Sequence, residues 1–177
     1  MSTVEEILWT PLLESDIGVV DKIAREIHPT LPERREVFAE KVRLFPQGCF
    51  KLLFEGRMMG YAFSHPWLLY SIPQLNDFLH TLPQKPDCIY IHDVAVLPAA
   101  RGHNAAGLFV AQISKVAQAM QIQHLACVSV YGTDALWARF GFHTVSSHGI
   151  DPKLVSYGES AKYMIADVSA EWVVQRY

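Results

Sequence analysis

Cysteine is scarce and unpatterned. Cys49, Cys88 and Cys127 stand far apart, form no CxxC pair, and each falls in an apolar stretch that reads as a strand. This excludes a disulfide framework and points to reduced core thiols in an intracellular, cytoplasmic protein. Long apolar runs are missing as well. Nothing reaches bilayer-crossing length, and the start MSTVEEILW carries Glu5 and Glu6 with no basic lead, so neither a membrane span nor a secretory leader is expected. Positive charge is not in excess. The formal net charge is −3 and the Lys and Arg residues are scattered, which argues against a nucleic-acid partner. The eight histidines include no i, i+4 pair on an evident helix, so no metal site is expected. There is no internal repeat, low-complexity tract or linker. With half of its 177 residues hydrophobic, the chain is expected to fold as one domain over residues 1–177.

What is present centres on residues 89 to 120, IYIHDVAVLPAARGHNAAGLFVAQISKVAQAM. Ile89 to Leu97 is mostly apolar and β-branched and reads as a strand, and Pro98 stops it. Arg101-Gly102-His103-Asn104-Ala105-Ala106 follows, rich in small residues, before a helix whose buried stripe is Phe109, Ile113, Val116, Ala117 and Met120. A helix start offers unpaired backbone N–H groups and the positive end of the helix dipole. Where the side chains are small, a phosphate can sit directly on it. The backbone from Gly102 to Gly107 is therefore the candidate anion cradle. Asn104 is the non-glycine residue type that best tolerates a positive φ.

These residues resemble the Gcn5-related N-acetyltransferase (GNAT) superfamily, whose members bind acetyl-coenzyme A. The family pattern RxxGxG/A falls on Arg101, on Asn104 where glycine is usual, and on Ala106. A second family segment falls on Leu136-Trp137-Ala138-Arg139-Phe140-Gly141-Phe142. YIHDVAV, with the two segments that follow, looks most like the arylalkylamine branch of the superfamily. The resemblance covers about Phe45 to Phe142. It implies an α/β fold with a mixed central sheet of about six or seven strands flanked by about four helices. It also implies transfer of acetyl from acetyl-CoA to a primary amine of a small molecule. By the same resemblance the backbone of Val94, Ala95 and Val96 holds the pantetheine, and the Asp93-Val94-Ala95-Val96 backbone supplies the oxyanion donor. The fourth strand bulges there and parts from the fifth. Arg101, Gly102, His103, Asn104, Ala105, Ala106, Gly107 and Trp137 border the cofactor.

By the family position, and because imidazole titrates near neutral pH, His92 is the candidate general base; the alternative is a strand histidine bonded to a neighbour. On an unbroken strand it shares a face with Tyr90, Val94 and Val96. Asp93 is the competing base or the group that attracts a cationic amine, and a bulge would leave strand parity unable to choose between them. Trp137 stands where the family carries a tyrosine as general acid, and an indole cannot give up its proton at neutral pH. Tyr131, Tyr90 or water is left to protonate the leaving thiolate. The aromatic residues Tyr61, Phe63, Trp67, Tyr90 and Trp137 either line an amine pocket or are core. A non-catalytic acyl-CoA-binding or interaction module on the same fold is the competing reading.

The flanking segments read as ordinary secondary structure. Ile7 to Leu13 is a first strand. Ser15 or Asp16 caps a helix with Ile17, Val20, Ile23, Ala24 and Ile27 inward. Pro32 opens a second helix burying Val37, Phe38, Val42 and Phe45, with Arg34, Arg35, Glu36, Glu40 and Lys41 as its solvated face. By resemblance, the joining loop His28 to Glu33 is a candidate substrate rim. Cys49 to Phe54 and Met58 to Trp67 make a hairpin. The spacing of Leu75, Phe78, Leu79 and Leu82 predicts a short amphipathic helix. Leu125 to Tyr131, Phe142 to Val145 and Ala161 to Val168 supply the remaining strands, and Thr133 caps a short helix before Gly141. The tail, residues 170 to 177 with Trp172 and Tyr177, either packs on the domain or meets a second copy in a homodimer.

Overall fold

The computed structural model of the chain describes residues 6–145 and 152–168. Seven strands form one mixed sheet: β1 (Ile7–Pro11), β2 (Cys49–Phe54), β3 (Arg57–Trp67), β4 (Cys88–Val96), β5 (His124–Ser129), β6 (His143–Thr144) and β7 (Lys162–Asp167), in the spatial order β1-β2-β3-β4-β5-β7-β6. Only β4 and β5 run parallel. Helices α1 (Ile17–Ile27) and α2 (Arg35–Leu44) cover one face. On the other lie α3 (Ala105–Ala119), the crossover between the parallel pair, and the short α4 (Asp134–Ala138). This is the expected α/β architecture. The tail from residue 170 lies outside the described residues.

The elements follow from local sequence. Ile17, Val20 and Ile23 fall on one stripe of α1 and pack with Phe38 and Val42 of α2 over Tyr61, Phe63 and Ala95. Phe109, Ile113 and Ala117 of α3 pack on Ala62, Ile89 and Ile91, on the opposite side of the sheet. Met120, expected in that stripe, ends it exposed. The β2–β3 hairpin turns through Glu55 (φ 49°) and Gly56 (φ 76°), two consecutive left-handed residues as a type I′ turn requires. All three cysteines are buried and unpaired.

Two sequence expectations fail, and for one reason. No helix forms over Leu75 to Leu82; the β3–β4 connection crosses the end of α2 as an irregular strap. Asn76 (φ 55°) and His80 (φ 64°) are left-handed, which stops a helix. The strap's N–H groups bond instead to carboxylates. Glu40 accepts from Leu79 N (2.6 Å) and His80 N (3.0 Å), and Glu33 accepts from Asn76 N (3.0 Å). Arg34 returns the contact, donating to the Asn76 side chain and carbonyl. Glu40 is therefore buried, at 8 % exposed; Lys41, at 1 % exposed, is buried as well, and neither belongs to a solvated face. A polar side chain at a helix position facing backbone donors is withdrawn from water by them.

Gly48 shows how tightly the hairpin is seated. A Cβ at this position would run into the Ser64 carbonyl oxygen and lie 2.7 Å from the Phe45 ring. The Gly48 carbonyl itself accepts from Ser64 Oγ at 2.7 Å. Gly48→Ala is expected to cost about 1–3 kcal/mol, the range for overpacking, read as a lower urea midpoint at unchanged m-value.

Candidate active site

The site begins with one extra residue in β4. Phe63 of β3 pairs with Asp93 and Ser64 with Ile91, so His92 is a bulge with no partner of its own. On the other edge, β4 pairs with β5 only from Ile89 to Ile91. The sheet opens where the bulge sits. The bulge also resets the alternation of side chains. Ile89, Ile91, Val94 and Val96 pack on the α3 side, whereas Tyr90 and Ala95 face the other way. His92 and Asp93, though consecutive, both turn toward the end of α1. The expectation that His92 shares a face with Val94 and Val96 is thus corrected. Both proposed bases stand on one side.

Each finds a partner on the α1–α2 connection. His92 Nε2 lies 2.8 Å from Glu33 Oε1, with side chains 0 % and 5 % exposed. Asp93 Oδ2 accepts from Tyr61 Oη at 2.7 Å, and Asp93 Oδ1 lies 2.8 Å from His28 Nε2. That last contact is an ion pair by distance without hydrogen-bond alignment. Burial lowers the basicity of His28, and the Asp93 carboxylate, helped by Glu33, outweighs it and holds the imidazole above its ordinary value. Burial and the Asp93 charge push the Tyr61 phenol well above its own, so it stays a donor. Tyr131 stacks on His28 with ring centroids 5.7 Å apart. Sequence reasoning missed Tyr61 as a partner because the contact joins β3 to β4 across the bulge. It found His28 and Glu33 only as the ends of a loop.

His28, Glu33, His92, Asp93 and Tyr131 form one end of a cleft of about 1420 Å³. Gly102 and Asn104 to Leu108 line the other end, Val94 and Val96 the floor, and Leu136, Trp137, Arg139 and Phe140 a wall. Asn104 takes the left-handed conformation (φ 56°) directly before α3, as its residue type allows. The helix ladder opens with Leu108 N donating to Asn104 O, so the N–H groups of Ala105, Ala106 and Gly107 precede it and have no intrahelical acceptor. A Cβ at Gly107 would run into the Asn104 side chain, which would have to turn away. A small-residue helix start with free amides fits a diphosphate.

Some expected contacts are absent or altered. Val94 and Val96 keep their place beside the cleft, but Ala95 does not. Its carbonyl oxygen would lie 2.6 Å from a Cβ on Gly60, so its backbone is turned to β3, and its side chain is buried under α1. His103 lies against Phe54, ring centroids 4.8 Å apart, away from the cleft lining. Arg101 donates from Nε to Val96 O at 3.0 Å, tying the turn to the strand it left. Of Tyr61, Phe63, Trp67, Tyr90 and Trp137, the aromatics expected at an amine pocket, Trp137 alone lines the cleft. Tyr61 and Phe63 are core under α1 and α2, and Tyr90 is buried in a separate cluster with Ile72 and Tyr163. That removes Tyr90 as a proton donor and leaves Tyr131, which does line the cleft.

A sequence profile of the acetyltransferase (GNAT) family matches residues 5–142. No curated protein matches the sequence. Among solved structures, the chain is similar to the GphF GNAT-like decarboxylase in complex with isobutyryl-CoA, at 16% identity and TM-score 0.72 over 92% of this chain and 100% of that one. It is similar to N-acetylglutamate synthase from Neisseria gonorrhoeae complexed with coenzyme A and N-acetyl-glutamate, at 18% and 0.70, over 94% of this chain and 36% of that one. A third is the ribosomal-protein-S18-alanine N-acetyltransferase from Escherichia coli, at 16% and 0.64, over 97% and 100%. At such identities the likeness concerns the fold.

Glu33 carries a pH signature of its own. Burial by itself raises its carboxyl, but the His92 imidazole, the Lys41 ammonium and the Asn76 N–H outweigh burial and hold it at about 2, against an ordinary 4.5. A depressed carboxyl contributes stability that is complete above 4.5 and is lost as pH falls toward 2. Glu33→Gln is expected to flatten that acid loss. Urea midpoints taken across this interval check it, and parallel curves for the two proteins would contradict the assignment.

Proposed function

The chain belongs to the acetyltransferase (GNAT) family, and on that premise we propose that it is an acetyl-CoA-dependent N-acetyltransferase acting on the primary amine of a small molecule, by direct attack in a ternary complex. The break at His92 carries this proposal. There the sheet opens, and two histidine–carboxylate pairs stand at one end of a slot whose other end is a helix start suited to an anion.

Acetyl-CoA, as co-substrate, supplies the acyl group as a thioester. For its diphosphate the amides of Ala105, Ala106 and Gly107 are the proposed donors, with Arg101 fixing the turn and Trp137 flanking. In an antiparallel strand successive residues point their backbone groups to opposite edges. Leu97 N donates to Met59 of β3, so Val96 and Val94 direct theirs to the open edge. Val94 N–H is the proposed donor to the oxygen that gains charge during transfer, and one such donor is worth about a hundred- to a thousandfold in rate.

On the acceptor side, Asp93 and Glu33 favour a cationic amine. His92 is proposed to take its proton; its Nδ1 is buried and has no hydrogen-bond partner among the described residues. Asp93, held by Tyr61 and His28, is the competing acceptor. A thiol of ordinary pKa about 8.5 leaves without much help, and Tyr131 is the nearest phenol lining the cleft.

Trp137 in the place of the family's tyrosine favours one other reading, a non-catalytic acyl-CoA-binding module. Turnover of acetyl-CoA with any amine decides between the two.

Calorimetric titration with acetyl-CoA is expected to give micromolar or tighter binding, weakened in Gly107→Ala because Asn104 must move. No heat from the folded wild type would remove the cofactor and the proposal together. In the active protein, His92→Ala is expected to lower turnover at least about tenfold and remove the acidic limb of the pH–rate profile. Activity near wild type would move the role to Asp93 or water.

A further inference from the structure

Glu33 holds His92 with one carboxylate oxygen and is itself held by the other. Oε1 lies 2.8 Å from His92 Nε2, and Oε2 accepts from the backbone N–H of Asn76 at 3.0 Å. A carboxylate bonded at one oxygen still turns about its side-chain torsions. Bonded at both, to two different elements, it is fixed in orientation.

Asn76 grips the α1–α2 connection through more than this N–H. Its side-chain Oδ1 accepts from Arg34 N (2.8 Å) and Arg34 Nε (3.2 Å), and its carbonyl oxygen from Arg34 Nη2 (3.0 Å). The Arg34 guanidinium also lies over the Phe78 ring, 5.2 Å from its centroid. In the left-handed backbone at Asn76 (φ 55°) all of these groups face residues 33 and 34 together, and asparagine adopts that region more readily than most side chains. Asn76 is exposed, so the clasp does not serve to bury apolar surface. Leu75, the residue before it, lines the cleft together with Glu33 and His92. Two consecutive residues of the strap therefore give the acceptor end a wall and Glu33 its second hydrogen bond.

We propose that Asn76 is a positioning residue of the acceptor site: clasped to Arg34, it fixes Glu33 against His92 Nε2, so that neutral His92 carries its proton on Nε2 and keeps Nδ1 as the nitrogen able to accept one. An ionised carboxylate accepts only, so the hydrogen of the Glu33–His92 contact belongs to Nε2. Released from that contact, an imidazole can carry its proton on either nitrogen. The consequence for turnover rests on the acetyl-transfer proposal; the tautomer of His92 does not.

The strap is fastened independently on either side of this point. Tyr157 Oη donates to Pro73 O at 2.6 Å, and Glu40 accepts from Leu79 N and His80 N. Asn76→Val, whose branched side chain opposes the left-handed region, therefore loosens the clasp in a strap that stays attached, and Asn76→Gly keeps both the conformation and the N–H. Nitrogen NMR of the histidine rings in the ligand-free wild type, at alkaline pH where an imidazole is neutral, is expected to show His92 as the Nε2–H tautomer. Asn76→Val is expected to move the Nε2–H resonance and raise the Nδ1–H form, and Asn76→Gly to stay closer to the wild type. In an active enzyme, turnover of Asn76→Val falls about tenfold, part of the roughly hundredfold that a misplacement of about 1 Å can cost, with acetyl-CoA binding at the far end of the cleft unchanged. His92 signals unaltered in folded Asn76→Val overturn the proposal, whatever the protein catalyses. So does an Nδ1–H tautomer in the wild type, a measurement that needs no variant.

Discussion

The structure turns on a register constraint in β4. Strand residues alternate between faces, so a regular β4 could offer either His92 or Asp93 to the α1–α2 side, never both. The unpaired residue at His92 removes that limit and presents both side chains there. The same irregularity coincides with the end of β4–β5 pairing after Ile91, which gives the cleft its depth. One inserted residue therefore gathers the polar groups and opens the slot they face.

The polar groups so gathered had to be held. Each carboxylate of the site meets a different element: Tyr61 from β3 and His28 from the end of α1 on Asp93, His92 from β4 and Asn76 from the strap on Glu33. Buried charges are tolerated when every acceptor is filled. The strap pays for this with its own helix, giving backbone N–H groups to Glu33 and Glu40 instead of to its own carbonyls.

The cofactor end is built differently, from backbone and small side chains. Asn104 in the left-handed region sets the first turn of α3, and its side chain folds over Gly107, where a Cβ would push it aside. Trp9 extends this support across the sheet edge, donating from Nε1 to the Ala105 carbonyl at 2.8 Å. Departure from glycine at position 104 thus leaves the cradle's shape intact, because the conformation and not the residue is what the turn requires.

Much of this was legible in the sequence. Hairpin, helices and strands of the sheet follow from hydrophobic periods, from the turn at Glu55-Gly56 and from the small residues before α3, all of them local signals. The amides of Ala105 to Gly107 stood out for the same reason, whereas His92, with Asp93 as its competitor, stood out only through a family resemblance. The tertiary structure decided what periodicity cannot express. Leu75 to Leu82 has helical spacing, yet long-range hydrogen bonds to Glu33 and Glu40 claim its backbone. Glu40 looks solvated until the strap's N–H groups bond it, and Lys41, which looks solvated too, is buried. Whether His92 and Asp93 share a side depends on pairing with β3, and their partners Glu33, His28 and Tyr61 come from other elements. Sequence fixes the groups each element carries; only packing between elements fixes which of them meet, because a buried charge goes wherever another segment can answer it.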